Sequence, residues 1–584
     1  MADPISVLSE RLAQAIAAVA PEHGDADPVV RPSDRADYQA NGVMGLAKRL
    51  GSNPRELAQA VLDAADLGGI ASAEIAGPGF VNLTLDSAFL GAEAAAVVAD
   101  PEAGITTSAA PQTVVVDYSA PNVAKEMHVG HLRSTVIGDA LVRILEARGD
   151  TVIRQNHIGD WGTPFGMLIE HLIDLGEDQA IGQLALGDLN QFYREARVAF
   201  DGSEEFADRA RSRVVALQAG DPETLRLWQI LVELSAAYFQ EVYDRLGVRM
   251  TADDLAGESM YNSQLEAVVA DLDEAGLLQG SEGARCVFPE GFSNRDGEPL
   301  PLIVQKGDGG YGYATTDLAA LRYRIDQLGA DRILYVVGST QHEHLAMVVA
   351  VARAAGWLTD ATEATHVAFG SVLGEDNKLL RTRAGATIKL SDLLDEAVSR
   401  AAAVIEYKNP DLDEAERAAV ARAVGIGAVK YADLSSDRTR DYLFSFDRML
   451  AFEGNTSPYL QYVVARVRSI LRKARAAGVP VPGEDGADLP DVVGVAEPAE
   501  RALALALVAF DRVVRDTAQT AQPHRLCTYL FELAQTFTRF YEAAPILKAD
   551  TEQQRRDRLA LAIGTEAVMV RGLGLLGIDA PERM

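Results

Sequence analysis

The sequence predicts an α/β protein in which a mainly parallel sheet is interrupted by a helical insertion, preceded by a small α+β module and followed by a helix bundle. Three observations carry this. Continuous β-branched runs alternate with helical periodicity between residues 111 and about 400, residues from about 170 to 290 turn helical and acidic, and apolar residues recur at helical spacing from 401 onward. At 584 residues and 48% apolar content, the chain is long enough for about four domains and can fill several cores.

Residues 1 to 110 read as helices followed by a short β segment, in which Gly77-Pro78-Gly79 turns into Phe80-Val81-Asn82-Leu83-Thr84-Leu85. The Pro/Gly-bearing stretch near residue 100 predicts a linker. Thr113-Val114-Val115-Val116 is a β-branched run of the kind buried on both faces of a parallel sheet, and Pro121 separates it from the next helix. Leu132, Val136, Ala140 and Ile144 then recur at helical spacing until Gly149-Asp150 stops the helix, and Val152-Ile153 starts a second strand. After the insertion, Arg332 to Val337 predicts a strand, Leu345 to Ala355 a helix, and the apolar run His366-Val367-Ala368-Phe369 another strand. Strand, helix, strand implies a parallel sheet with right-handed crossovers. The C-terminal bundle is broken by a Pro/Gly/Asp-rich loop from Val479 to Pro490.

The balance of 85 acidic against 54 basic residues gives a net charge of −31, which governs solubility and long-range steering and leaves room for a local basic surface. Between Val463 and Pro482 there is no acid, while Arg466, Arg468, Arg472, Lys473 and Arg475 fall on a predicted helix whose apolar face is Val463, Val467, Ile470 and Leu471. A solvated face with long basic stems and a phosphate-tracking surface both fit that pattern. Two distant cysteines, Cys286 and Cys527, have no paired spacing for zinc or a disulfide framework and fit a reducing compartment. The start, Met-Ala-Asp-Pro, lacks a basic segment followed by a long apolar run, so neither a signal peptide nor a membrane span is expected.

The loop between the first strand and its helix holds the chemistry. His128 and His131 lie at i, i+3 on the first helical turn, beside free backbone amides where a polyphosphate gains from N–H donors and the helix dipole, and Gly130 would let a ligand approach the backbone. A strand-to-helix turn at the carboxyl end of a parallel strand is where open α/β sheets bind ligands. A second element, Asp376 to Gly385, follows a strand, is basic, and could close cations over a triphosphate.

His128-Val129-Gly130-His131 resembles the HIGH signature of class I aminoacyl-tRNA synthetases, and the string from Tyr118 through Arg133 is similar to arginyl-tRNA synthetases in particular. The resemblance continues in Asn156-His157-Ile158-Gly159-Asp160-Trp161-Gly162-Thr163, Gly257-Glu258-Ser259, Tyr313-Ala314-Thr315-Thr316-Asp317, Gln341-His342-Glu343-His344 and Tyr459-Leu460-Gln461-Tyr462, in that order. It implies a Rossmann-like catalytic domain over 111–400 with an insertion at about 170–290, an N-terminal accessory domain over 1–110 that contacts tRNA with Asn82 among its residues, and a helical anticodon-binding domain over 401–584. The implied activity is ATP-dependent formation of arginyl-adenylate and transfer of arginine to the 3′ end of its tRNA, with magnesium accompanying ATP, no protein-bound metal, and a cytoplasmic monomer without membrane attachment. Two readings share parts of this pattern, a class I synthetase for another amino acid and a non-catalytic tRNA-binding paralogue.

By the same resemblance, His128, Gly130, His131 and Lys378 hold ATP. The KMSKS-like loop is degenerate, with Leu379-Leu380 replacing the central Met-Ser and the second lysine either replaced by Arg381 or absent, depending on alignment, so Lys125 is expected to supply the missing charge. The arginine pocket must surround a planar cation with acceptors, and the resemblance assigns Glu258, Asp317, Tyr313, Asn122 and Gln341 to it. The four-residue spacing of Tyr313 and Asp317 puts both on one helix face. Thr163-Pro164 departs from the Thr-Gln of many members. His157 fits the adenosine side or a satisfied core histidine, and His342 with His344 lacks further zinc ligands at useful spacing. Tyr459, Tyr462, Arg466 and Met584 are implied to contact the anticodon loop.

Overall fold

The computed structural model describes residues 3–185, 189–380, 388–484 and 486–584. The N-terminal module is an antiparallel sheet of β1 (Val30–Pro32), β2 (Tyr38–Ala40), β3 (Ala71–Ala76) and β4 (Phe80–Leu85) in the order β1-β2-β4-β3, with helices Pro4–Val19, Gly42–Leu50 and Pro54–Ala64 beside it. On β4, buried Val81, Leu83 and Leu85 alternate with outward Asn82 and Thr84, as a half-buried strand requires. The expected order of helices and then strands is therefore too simple: β1 and β2 are three residues each, too short to leave a periodic signal. A helix, Ser87–Ala99, fills much of the stretch before residue 100 and packs on helices Pro498–Val508 and Glu552–Leu575 of the bundle.

The second sheet consists of β5 (Thr113–Asp117), β6 (Thr151–Gln155), and, after the insertion, two further strands. The insertion contributes helices from Pro164–Leu175 to Leu265–Glu274 and a small antiparallel sheet of β7 (Leu278–Ser281), β8 (Ala284–Val287) and β9 (Leu302–Gln305). Then come β10 (Arg332–Tyr335) and β11 (Glu363–His366), and the order β11-β10-β5-β6 is parallel throughout. β11 lies upstream of the apolar run that predicted it. Its pairing is set by β10, through Glu363 N to Asp331 O and Val367 N to Tyr335 O, and the run from Val367 continues past the strand's end.

Helix Val129–Ala147 leads from β5 toward β6, whereas helix His342–Ala354 leads from β10 away to β11, so the crevice between the carboxyl ends of β5 and β10 is the switch point where such sheets bind ligands. Arg324, 1% exposed, braces these ends: its Nη2 donates to Asp117 Oδ2 at 2.7 Å and its Nε to Gln155 Oε1 at 2.6 Å. The C-terminal part is a bundle built on helices Glu414–Leu434, Ser457–Ala476, Pro498–Val508, His524–Ala543 and Glu552–Leu575. Among the described residues no helix is long and apolar enough to cross a membrane.

Candidate active site

The histidine turn caps its own helix. His128 is the N-cap of helix Val129–Ala147: its Nδ1 accepts from Gly130 N at 3.0 Å, and His131 Nδ1 accepts from His128 N at 3.1 Å, a reciprocal capping box made of two imidazoles. Because both Nδ1 atoms act as acceptors, the neutral rings carry their protons on Nε2. Burial, and then His128 and Lys125, drive the His131 pKa down to about 3; burial and Lys125 lower that of His128. Both rings are thus uncharged donors at neutral pH. Gly130 has a different reason from the one expected: a Cβ there would lie 2.7 Å from His128 Cε1, so glycine makes room for the capping ring itself. Lys125 stands 4.5 Å over the Tyr193 ring, on the approach to this turn.

Carboxylates gather on the other side of the crevice. Glu258 begins a 3₁₀ turn, Glu258–Gln264, and its amide donates to Ile158 O at 3.1 Å. Burial, followed by the charges of Asp160 and Asp317, pushes its pKa up to about 7. Asp160 is buried and accepts from Ser259 N at 2.9 Å and Ser259 Oγ at 2.6 Å, which pins the Gly257-Glu258-Ser259 turn. Asp317 lies on helix Tyr313–Asp326, with its Oδ2 2.6 Å from His344 Nε2 and its Oδ1 3.9 Å from His157 Nε2. Tyr313 shares that face, its ring 4.9 Å from His344, so the i, i+4 pair converges on one imidazole. Asn122 is exposed and sits against Gly159, where a Cβ would come within 2.5 Å of Asn122 Oδ1. Gln341 is exposed at the end of the turn Ser339–Gln341, after β10.

Several expectations change. His342 and His344 diverge: His342 stacks on His366, with Nδ1 atoms 3.2 Å apart, while His344 serves Asp317. Among the described residues no group of three or more His, Cys, Asp or Glu side chains is arranged to hold a metal ion. His157 belongs to the carboxylate side of the crevice, against Asp317 and 5.7 Å from the Tyr261 ring. Pro164 starts helix Pro164–Leu175, a position where its missing N–H costs nothing. Lys378 is exposed in the second loop, its amide donating to Asp376 Oδ1 at 3.1 Å; Arg381 lies outside the described residues.

In the bundle, Tyr462 and Arg466 are joined by a 2.9 Å hydrogen bond, and the Arg466 guanidinium also lies 5.8 Å from the Tyr541 ring. Met584 lines the same cleft, together with Lys408, Arg472 and Lys473. Tyr459 is half-buried, edge-on to Phe531 at 5.9 Å. The basic helix Ser457–Ala476 is less open than its composition suggests: Arg468 pairs with Glu566 and Glu582, Arg475 with Glu484, and Arg472 Nη1 donates to Glu582 O. Asn82 accepts from Gln39 Nε2 at 2.7 Å on the N-terminal sheet. The His344 partner of Asp317 and the Asp160 anchor of Ser259 went unread in the sequence; the only hint was their position inside motifs already singled out.

The chain matches three family descriptions: "Arginyl tRNA synthetase N terminal domain" over residues 6–85, "tRNA synthetases class I (R), catalytic domain" over 94–446, and "DALR anticodon binding domain" over 460–584. It is 57% identical over 586 residues to the arginine–tRNA ligase of Thermobifida fusca, with 100% of both chains covered. It is also 51% identical over 583 residues to that of Vibrio vulnificus, covering 99% of each. Among solved structures it is similar to the arginyl-tRNA synthetase of Plasmodium falciparum (TM-score 0.85, 28% identity, 100% of both chains) and to that of Thermus thermophilus (TM-score 0.80, 26% identity, 99% of this chain and 100% of the other).

Proposed function

Because the chain belongs to the arginyl-tRNA synthetase family, we propose that the crevice between β5 and β10 is where it activates arginine, with the histidine turn facing ATP and the carboxylate cluster facing the amino acid. The protein is an arginine–tRNA ligase that uses ATP, arginine and tRNA. The arginine carboxylate attacks the α-phosphorus of ATP, the bond to the β-phosphate oxygen breaks, and pyrophosphate leaves. A hydroxyl of the terminal tRNA ribose then attacks the carbonyl of the adenylate, expelling AMP.

The first step needs no general base, since the attacking carboxylate is already ionised, so the protein's work is positioning and electrostatic stabilisation. His128 and His131 offer neutral Nε2–H donors to phosphate oxygens. Lys125 and Lys378 supply positive charge toward the departing pyrophosphate, and ATP enters with its magnesium ion. Glu258 and Asp317 accept from the guanidinium, Tyr313 flanks it, and Asn122 and Gln341 hold the α-amino and α-carboxyl end. The observation that carries this reading is the carboxylate cluster: burial first, and then the charges of Asp160 and Asp317, raise the Glu258 pKa to about 7, and a guanidinium placed among the three would offset both the desolvation and the repulsion. Tyr462, Arg466 and Met584 form the anticodon-facing cleft, with Asn82 on a second tRNA contact surface. The enzyme acts in the cytoplasm, where a reducing environment suits its two buried free thiols, and it acts as a monomer.

ATP–pyrophosphate exchange with each amino acid, with and without tRNA, tests the assignment. Asp317→Asn is expected to raise the KM for arginine and leave the KM for ATP within about twofold, as loss of a ground-state contact to one substrate requires. A selective rise in the KM for ATP would place Asp317 on the wrong substrate. Light scattering of the purified protein, alone and with tRNA, checks the monomer.

A further inference from the structure

The segment from Ser119 to His128 carries Asn122, Lys125 and the first histidine, and its backbone is strained. Ser119 (φ 74°), Ala120 (φ 48°) and Ala124 (φ 57°) occupy the left-handed region, where residues other than glycine are uncommon. Such conformations persist only where the surroundings over-determine them. Here helix Pro222–Leu246 does so with two side chains. Tyr243 OH lies 2.8 Å from Ser119 Oγ and accepts from Asn156 Nδ2 at 2.9 Å, while Asn156 Oδ1 accepts from Ala120 N at 3.0 Å. Two turns earlier, Ser235 Oγ accepts from Ala124 N at 3.0 Å and donates to Leu231 O at 2.7 Å.

The far end of the segment is held in the same manner. Glu126, 2% exposed, accepts from Asn190 Nδ2 at 2.6 Å and from Lys389 Nζ at 2.8 Å, and its amide donates to Asn190 Oδ1 at 3.2 Å. Tyr243, Ser235 and Glu126 are all too buried to touch a substrate, so any effect they have on the reaction passes through the loop. We propose that Tyr243 and Ser235 are positioning residues through which the helical insertion holds Ser119, Ala120 and Ala124 in their left-handed conformation, Tyr243 setting Asn122 and Ser235 setting Lys125. This rests on the assignment of Asn122 to arginine and of Lys125 to the phosphates.

The test uses the full-length protein in ATP–pyrophosphate exchange with tRNA present, at a temperature where circular dichroism shows each variant folded. Tyr243→Phe keeps the ring and is expected to raise the KM for arginine about fivefold or more with the KM for ATP within about twofold, because a displaced positioning group costs geometry at one substrate. Ser235→Ala is expected to lower kcat about fivefold or more with the KM for arginine within about twofold, for the same reason at Lys125. Glycine adopts positive φ freely, so adding Ala120→Gly to Tyr243→Phe should recover at least about half of the loss. An unaltered arginine KM in Tyr243→Phe, or a loss that Ala120→Gly does not recover, overturns the proposal. Asn122→Ala separates the two claims: if it leaves the arginine KM unchanged, the assignment of Asn122 falls and the inference with it; if it raises that KM while Tyr243→Phe does not, the inference alone falls.

Discussion

With Glu258 facing arginine as proposed, arginine binding is expected to depend on pH, and the size of the effect follows from the surroundings of that carboxyl. Burial, together with the carboxylates of Asp160 and Asp317, puts its pKa near 7 instead of 4.5 in the free protein. A guanidinium needs the ionised form, so binding must drive off the proton. For a group of pKa about 7 that has to ionise, the apparent dissociation constant at pH 6 is roughly elevenfold above its high-pH limit, and by pH 8 it is within about 10% of that limit. Arginine affinity should therefore improve about tenfold between pH 6 and pH 8. Glu258→Gln should flatten that slope and weaken binding at pH 8 by about 30-fold or more, since removing one partner of a desolvated charge pair costs roughly 2–5 kcal/mol. Calorimetry in two buffers of different ionisation enthalpy measures both affinity and proton release. An unchanged pH slope in Glu258→Gln, or proton uptake in place of release, would refute the reasoning. Stability gives an independent reading with its own sign. The folded pKa is raised, so the group's contribution is fully present below the unfolded value of 4.5 and is lost as pH rises through about 7. The loss is on the order of 3 kcal/mol, and in the absence of arginine Glu258→Gln should be the more stable protein at pH 8.

Lys125→Ala is expected to slow adenylate formation in single-turnover assays by about tenfold or more while arginine affinity stays within about twofold, as loss of a charge used only in the transition state requires; weakened arginine binding with a normal rate would move Lys125 to the other substrate. His131→Gln, which keeps a donor near the Nε2 position, should retain more exchange activity than His131→Ala, and the activity should show no acid limb from His131 down to pH 5, because its pKa is about 3; a rate falling with an apparent pKa near 6 that vanishes in His131→Gln would contradict the neutral-donor role. Arg324→Met leaves Asp117 buried without its partner at the end of β5 and should cost about 3–5 kcal/mol in urea unfolding, whereas a cost under about 1 kcal/mol would mean that the brace carries little.

The parallel sheet was legible because strands covered on both faces are written as continuous apolar runs, as in Val114 to Val116. β11 was misplaced for the complementary reason: an edge strand reading Glu-Ala-Thr-His has no such run, and its position comes from backbone pairing with β10. The histidine turn and the Tyr313/Asp317 pair were legible from local spacing. What spacing could not reveal were contacts made across the fold. Asp317 meets His344 from 27 residues away, and the arginines of helix Ser457–Ala476 meet Glu566, Glu582 and Glu484, acids absent from the basic segment itself. A stretch without acids is thus a statement about sequence neighbours, and only Arg466, directed to Tyr462 and Tyr541, keeps the exposed aromatic setting expected of an RNA-facing cation.

The histidine turn shows why structure and chemistry cannot be separated at this site. Both Nδ1 atoms are occupied in capping the helix, so folding itself decides which nitrogen holds the proton, and it leaves two Nε2–H donors. Charging either ring would desolvate a cation and place it beside Lys125, and burial first, with that repulsion after it, depresses both pKa values. In the proposed site the rings would therefore orient phosphate oxygens without adding positive charge, which leaves the charge on the departing pyrophosphate to Lys125, Lys378 and the magnesium ion that enters with ATP. That division explains the demand for glycine at position 130: any larger residue would push the His128 ring off Gly130 N, and the cap, the tautomer and the donor would be lost in one step.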